Sequence, residues 1–343
     1  MEQVAVAAGV TKITVSRYLR EPARVAAETA ARIAGALRET GYVPNKQAGM
    51  LASGRSRMVA AIVPNLAHSV FAETVQGLSD RLQAAGCELL LAASNYSMER
   101  EEEQIRAVLG WSPIALVVTG RHHTDAARAL LRGARDAGTP IIEVWDRQPR
   151  GAEFTQVGFD HAAVGRAMAR HLLDAGHRRL AYVDSGVAED FRAHERGAAF
   201  AATARGARVL TAPPGDAFDA GRAALATLLD KAGKPGVDAI AFANDHLACG
   251  ALLEAQRRGL RVPQDIALMG FGDFPISRQI DRGISSVRPP RYEIGAETAR
   301  IILRATAREP SDGRPVNEPA SDLPWVLVPR GSTRPGPDEG VRN

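Results

Sequence analysis

Cysteine is nearly missing from this sequence: Cys87 and Cys249 are the whole complement of its 343 residues. They lie far apart in apolar surroundings. That reads as two core thiols and not a disulfide, in keeping with a reducing cytoplasm. Aromatic side chains are few, in a composition otherwise ordinary for a soluble globular protein. No apolar run reaches the roughly 18 residues that a membrane span needs. No secretory leader is expected, because the Ala-rich start carries Glu2 and Lys12 and runs straight into helical pattern. Catalytic signatures are missing too. His122-His123 has no matching set at metal-ligand spacing. Gly270-Phe271-Gly272 runs into Asp-Phe-Pro and opens no helix, so it is no dinucleotide fingerprint, and there is no phosphate loop. Glu101-Glu102-Glu103 reads as a solvated helix face. An enzyme is therefore disfavoured, and no metal or cofactor is expected.

What the chain does have is length for two or three domains with full cores, and a lopsided charge. The net charge is only +4. Residues 1–56 carry eight basic side chains (Lys12, Arg17, Arg20, Arg24, Arg32, Arg38, Lys46, Arg55) against four acids (Glu2, Glu21, Glu28, Glu39). The remainder balances at 35 of each sign, so the whole excess sits at one end. This asymmetry fits one end that meets phosphate and a remainder that does not.

Within that end, Gly9-Val10-Thr11-Lys12-Ile13-Thr14-Val15-Ser16-Arg17-Tyr18-Leu19 reads as a tight turn and a short helix. Gly9 can supply the left-handed residue that closes a preceding helix. Thr11 offers an N-cap hydroxyl. Val15 and Leu19 face one way, while Lys12, Ile13, Ser16 and Arg17 turn outward. Helices over 2–8 and 27–40, the latter closed by Gly41, complete a helix-turn-helix domain with a basic middle helix. A helix pinned by one narrow apolar stripe suits the DNA major groove. Pro44 ends this domain. Asn45 to Ala52 can make two helical turns but bury no face alone, so 44–57 reads as a hinge that orders on binding.

From Met58 strands alternate with helices. Strands are expected at 59–63, 88–93, 114–118, 140–144, 179–183, 239–243 and 266–270. Helices are expected at 72–85, 98–109, 125–137, 162–175, 191–204, 220–229, 247–258 and 292–307, with an apolar segment at 325–328. The strands are near-continuous apolar runs, as in parallel sheets covered on both faces. Two successive β-α halves predict two doubly wound α/β subdomains with a cleft between them. The Pro, Gly and charge-rich tail, 334–343, is expected to be disordered.

Together these residues resemble the lactose/galactose-repressor family of bacterial transcription factors over nearly the whole chain. Val10-Thr11-x-x-Thr14-Val15-Ser16-Arg17 looks like the family's recognition helix, and Gly41-Tyr42-x-Pro44-Asn45-x-x-Ala48-x-x-Leu51 its hinge. Gly176-His177-Arg178-Arg179-Leu180-Ala181, Ala243-Asn244-Asp245-x-x-Ala248-x-Gly250, Pro263-x-Asp265-Ile266-Ala267 and Gly270-Phe271 follow in the family's order. The resemblance implies a helix-turn-helix domain at 1–43 and a periplasmic-binding-protein-like regulatory domain at 58–333. Its N-subdomain would span about 58–157 plus 286–317, and its C-subdomain about 158–285 plus 318–333. It further implies a cytoplasmic repressor that binds a palindromic operator as a homodimer. Val10 to Arg20 with Pro22, and Val118-Thr119-x-Arg121-x-His123-Thr124, are similar to gluconate-operon repressors, which implies a sugar-acid effector such as gluconate or a close relative. The rival is a sugar-binding transport protein of the same fold, which needs export and has no use for residues 1–56. The chain departs from the family in three places. It begins almost inside the first helix. Ala26 stands where a capping Ser is usual, and the acid expected directly after Phe271 comes one position later, at Asp273.

For DNA, the resemblance assigns Lys12, Ile13 and Arg17 to base reading. Thr14, Ser16, Tyr42 and Asn45 suit phosphates, with Lys46 and Ala48 beside them on the hinge. Leu51 is a minor-groove wedge by resemblance, or else docks onto the regulatory domain. For the effector, candidates lie at strand ends facing the cleft: Phe71, Arg121, His123, Asp146, His194, Arg196, Asn244 and Asp273. Burying a carboxylate needs a charged donor. Arg121 and His194 are the first choices, with His123 and Arg196 second. Asp146 and Asn244 can bond hydroxyls. Asp245 reads equally as a helix cap, and Arg192 as solvated.

Overall fold

Three short helices form the first unit: α1 (Glu2–Ala8), α2 (Lys12–Arg20) and α3 (Ala27–Thr40). Gly9 is left-handed, φ 60°, and closes α1: its N–H donates to Val6 O, and that of Val10 to Ala5 O. Thr11 Oγ1 accepts from Thr14 N at 3.2 Å and so caps α2. Ala26 provides no side-chain cap to α3. Val4, Ala5, Ala8, Val15, Ile33 and Ala36 form the core. Arg32, one of the basic excess, works inside this unit. Its guanidinium donates to Ala8 O and Gly9 O, each at 3.0 Å, and ties α3 to the turn before α2.

The computed structural model describes residues 1–43, 57–66, 70–148, 150–229, 233, 236–307 and 321–333. The chain divides into two units, Met1–Ser56 and Arg57–Asn343. The hinge positions Asn45, Lys46, Ala48 and Leu51 and the tail 334–343 lie outside the described residues.

The second unit holds two parallel sheets. The first contains β1 (Met58–Val63), β2 (Glu88–Ala93), β3 (Ala115–Thr119), β4 (Ile141–Val144) and β5 (Thr155–Gly158) in the order β5-β4-β3-β1-β2. α4 (Phe71–Ala84), α5 (Met98–Leu109) and α6 (Asp125–Asp136) make its crossovers. Side chains alternate between its two faces. Val59, Ala61, Val63 and Val117 join one core with Leu78 and Leu82 of α4. Ala60, Ile62, Leu116 and Val118 join the other with Ile105, Val108 and Leu131.

The second sheet has the order β7-β6-β8-β9, from β6 (Leu180–Asp184), β7 (Arg208–Thr211), β8 (Ala239–Phe242) and β9 (Ala267–Met269). It is flanked by α7 (His161–Asp174), α8 (Phe191–Thr203), α9 (Ala217–Leu228) and α10 (Asp245–Arg257). After the short α11 (Pro275–Gln279), β10 (Ser286–Arg288) leads back to α12 (Arg291–Ala307), which packs on α4. That approach depends on two glycines: a Cβ at Gly77 would collide with Tyr292 O, and one at Gly295 with Thr74 O. β11 (Ser321–Asp322) joins the first sheet beside β5, and β12 (Val326–Val328) pairs with β10. The last crossing therefore falls after residue 322 and not after 317. The carboxyl ends of β1, β3, β4 and β5 face those of β6, β8 and β9 across a cleft, where open α/β sheets place their ligands.

Candidate functional site

In the first unit the outward edge of α2 is built as its residue pattern requires. Val15 is fully buried, and Tyr18 and Leu19 pack partly against the core. On the other side Ile13 is 71% exposed, between the exposed Lys12 and Arg17. Lys12 Nζ meets Glu2 at 2.8 Å on the surface. Such a pair contributes little in water and gives way readily to a phosphate or a base. Thr14 and Ser16 are half-buried on the flanks, and Tyr42 is half-buried against the helical core.

In the second unit the cleft is lined with arginines. Arg121, after β3, is held by Asp146 Oδ1 at 2.9 Å and by Glu195 Oε2 of α8 at 3.1 Å. Two more contacts cross between the subdomains beside it. Met98 N donates to Glu189 Oε2 at 2.5 Å, and the His122 ring stacks on Phe191 at 4.4 Å. Asp146 is 1% exposed, and burial pushes its carboxyl up to about 6 despite the nearby Arg192 and Arg121. Its Oδ2 has no hydrogen-bond partner.

Arg196 is buried beneath the cleft. Its Nη1 donates to His161 Nδ1 at 3.0 Å, its Nη2 to Ala243 O at 3.0 Å, and its face lies 3.9 Å above the Phe271 ring. His161 Nε2 in turn donates to Trp145 O at 2.7 Å. With one nitrogen donating and the other accepting, His161 is the neutral tautomer. Burial and the adjacent Arg196 hold it well below the ordinary imidazole range.

Arg192 was expected to be solvated and is buried instead, its guanidinium 5.6 Å above the Phe71 ring. Neither Arg192 nor Arg196 takes an ion pair among the described residues. Leaving one such buried charge unpaired costs several kcal/mol. A cation–π contact offsets only about 0.5–2 kcal/mol. Two buried guanidiniums without a direct ion pair among the described residues leave the cleft with positive charge suited to an anion.

The other expected effector residues sit as follows. Phe71 is buried, edge-on to Trp145 at 5.2 Å. His194 is at the rim, 3.6 Å from Asp184. Asn244 Oδ1 caps α10 by accepting from Leu247 N. His123 is sealed inside the first subdomain. Its Nδ1 donates to Glu101 at 2.7 Å and its Nε2 stands 3.5 Å from Glu143. Glu101 is therefore buried, in contrast to the solvated face expected of it. Asp273 gives both carboxylate oxygens to Arg288 and Arg330 and offers neither to a ligand. Asp245 is no cap. It is fully buried and accepts from Ser286, Ser277 and Phe274 N, binding α10 to α11 and β10. The residues that sequence reasoning passed over are Tyr96, Arg192, His122 and Phe191. His122 alone carried a signal, beside Arg121 at the end of β3.

Among family models, "Bacterial regulatory proteins, lacI family" matches residues 1–45, and "Periplasmic binding protein-like domain" matches residues 169–333. The chain is 38% identical to the HTH-type transcriptional regulator GntR of Pseudomonas aeruginosa, over 97% of this chain and 95% of that one. It is 32% identical to the regulator GntR of Escherichia coli K12, over 97% and 98%. A crystal structure of a LacI-family transcriptional regulator from Silicibacter pomeroyi superposes with a TM-score of 0.85 at 30% identity, covering 97% of this chain and 98% of that one.

Proposed function

The chain belongs to the lacI family of bacterial regulatory proteins, and from that premise we propose that it is a transcriptional repressor released from DNA by a sugar acid. The exposed edge of α2 carries the DNA half of this reading. An isoleucine 71% exposed between a lysine and an arginine, on a helix whose opposite side is buried, is a surface made to meet bases. Arg17 pairs with guanine, Ile13 contacts a thymine methyl, and Thr14, Ser16 and Tyr42 with the hinge residues Asn45, Lys46 and Ala48 hold the backbone. Leu51 wedges into the minor groove. The protein acts as a homodimer on a palindromic site.

The effector half is supported by the cleft's unpaired guanidiniums and by the GntR relatives. Gluconate or a close relative binds between the subdomains, with Asp146 and Asn244 bonding its hydroxyls. Selection from random duplex DNA should recover a two-fold symmetric site bound with a steep inverse dependence on salt. Gluconate should release that site. Failure to enrich any symmetric sequence would overturn the DNA half, and release by no sugar acid would overturn the effector half.

A further inference from the structure

Resting on that sugar-acid reading, we propose that Arg192 and Asp146 together read an α-hydroxy carboxylate: Arg192 takes the carboxylate and Asp146 the adjacent hydroxyl. The cleft has three arginines that face it from different surroundings. Arg121 is already matched by Asp146 and Glu195. Arg196 directs both terminal nitrogens to uncharged acceptors and lays its face on Phe271. Arg192 is the buried guanidinium left over for an anion.

Its surroundings are shaped for a small anionic end. Arg192 comes from the first turn of α8 and reaches across to the first subdomain, where Gly120 leaves it room. A Cβ on Gly120 would stand 2.6 Å from Arg192 Nη1 and 3.4 Å from Asp146 Oδ2. Arg192, hydrogen-bonded to the Tyr96 phenol but without an ion pair among the described residues, and Asp146 Oδ2, which has no hydrogen-bond partner, thus flank the same point. The ligand that satisfies both has an acceptor anion and an O–H donor on neighbouring carbons. A cavity of about 30 Å³ opens on the Arg192 side of Gly120, lined by Ser94, Tyr96, Thr119, His122 and Arg192 among others.

The loop that supplies Tyr96 is held in an uncommon conformation. Asn95 and Tyr96 are both left-handed, at φ 52° and 60°. Consecutive non-glycine residues there are costly, and such strain gathers at ligand sites. The phenol is buried beside Arg192, and burial keeps it protonated, so it is a second donor. The carboxylates around this point have partners of their own: Glu101 pairs with His123, Glu189 accepts from Met98 N, and Asp190, which acts on Tyr96, accepts from Ala193 N.

The test is calorimetry on the full chain with three probes of one carbon skeleton: D-gluconate, its α-keto analogue, and glucitol, which lacks the carboxylate. The parent should prefer gluconate to each of the others by about tenfold to a hundredfold, the range of one charge-assisted hydrogen bond. Arg192→Gln should erase the preference over glucitol, and Arg192→Lys should restore part of it. Asp146→Asn should erase the preference over the keto acid. Arg192→Gln with an unchanged gluconate-to-glucitol ratio would overturn this assignment and leave the sugar-acid reading standing. A parent blind to every sugar acid would overturn both.

Discussion

Arg17 stands exposed on α2 without an ion pair among the described residues, so its side chain is available to DNA at no structural cost. Arg17→Ala should abolish specific operator binding and leave the weak non-specific mode. One bidentate pair with guanine is worth about 1–3 kcal/mol per half-site, and a dimer loses it twice. Unchanged affinity in a gel shift would remove α2 from the base-reading role. His123 carries a different expectation. Burial pulls its imidazole down, but Glu101 and Glu143 outweigh that and push it up to about 9. Between the unfolded value of about 6.5 and that value, the folded state holds a proton that the unfolded state lacks. Its contribution, about 3 kcal/mol at most, is complete below the unfolded value and fades as pH rises through the folded one. Urea midpoints of the regulatory unit should therefore fall from neutral pH toward 9.5 or so, and His123→Gln should flatten that fall. Parallel profiles for parent and variant would refute it. Arg192, Glu101 and Asp245 were misread from the sequence for one physical reason. A charged side chain reads as solvated until its partners arrive, and these come from distant elements: His123 for Glu101, Ser277 and Ser286 for Asp245, Phe71 and the Gly120 gap for Arg192.

At the scale of elements, caps and glycines made the first unit legible almost to the residue. Thr11, Gly9 and Gly41 mark ends by chemistry that acts within a turn. The same local logic predicts two stability changes. Thr11→Ala should lower, and Ala26→Ser should raise, the stability of the helix-turn-helix unit by about 1 kcal/mol each. Urea denaturation of the full chain measures both, and a neutral Ala26→Ser would show that α3 starts without need of a cap. Four strands escaped notice, among them the short β10 and β11. β5, Thr155–Gly158, is four residues long and includes the polar Gln156, which is buried because it donates to Glu143. β7, Arg208–Thr211, is an edge strand with mostly exposed residues and no apolar run. Neither strand carries the continuous hydrophobic signal by which the other parallel strands were read.

For the whole molecule, the division of labour follows the charge. The net excess lies in residues 1–56, while the cleft of the second unit holds arginines matched and unmatched. On the proposed reading, a ligand that bridges the subdomains selects one of their arrangements, and operator affinity follows the population of that arrangement. Such coupling is reciprocal. The decisive measurement is a pair of titrations at one salt concentration. Gluconate affinity is measured with and without saturating operator, and operator affinity with and without saturating gluconate. Each ligand should weaken the other by the same factor. Operator affinity that stays fixed while gluconate demonstrably binds would contradict control of this repressor by a sugar acid.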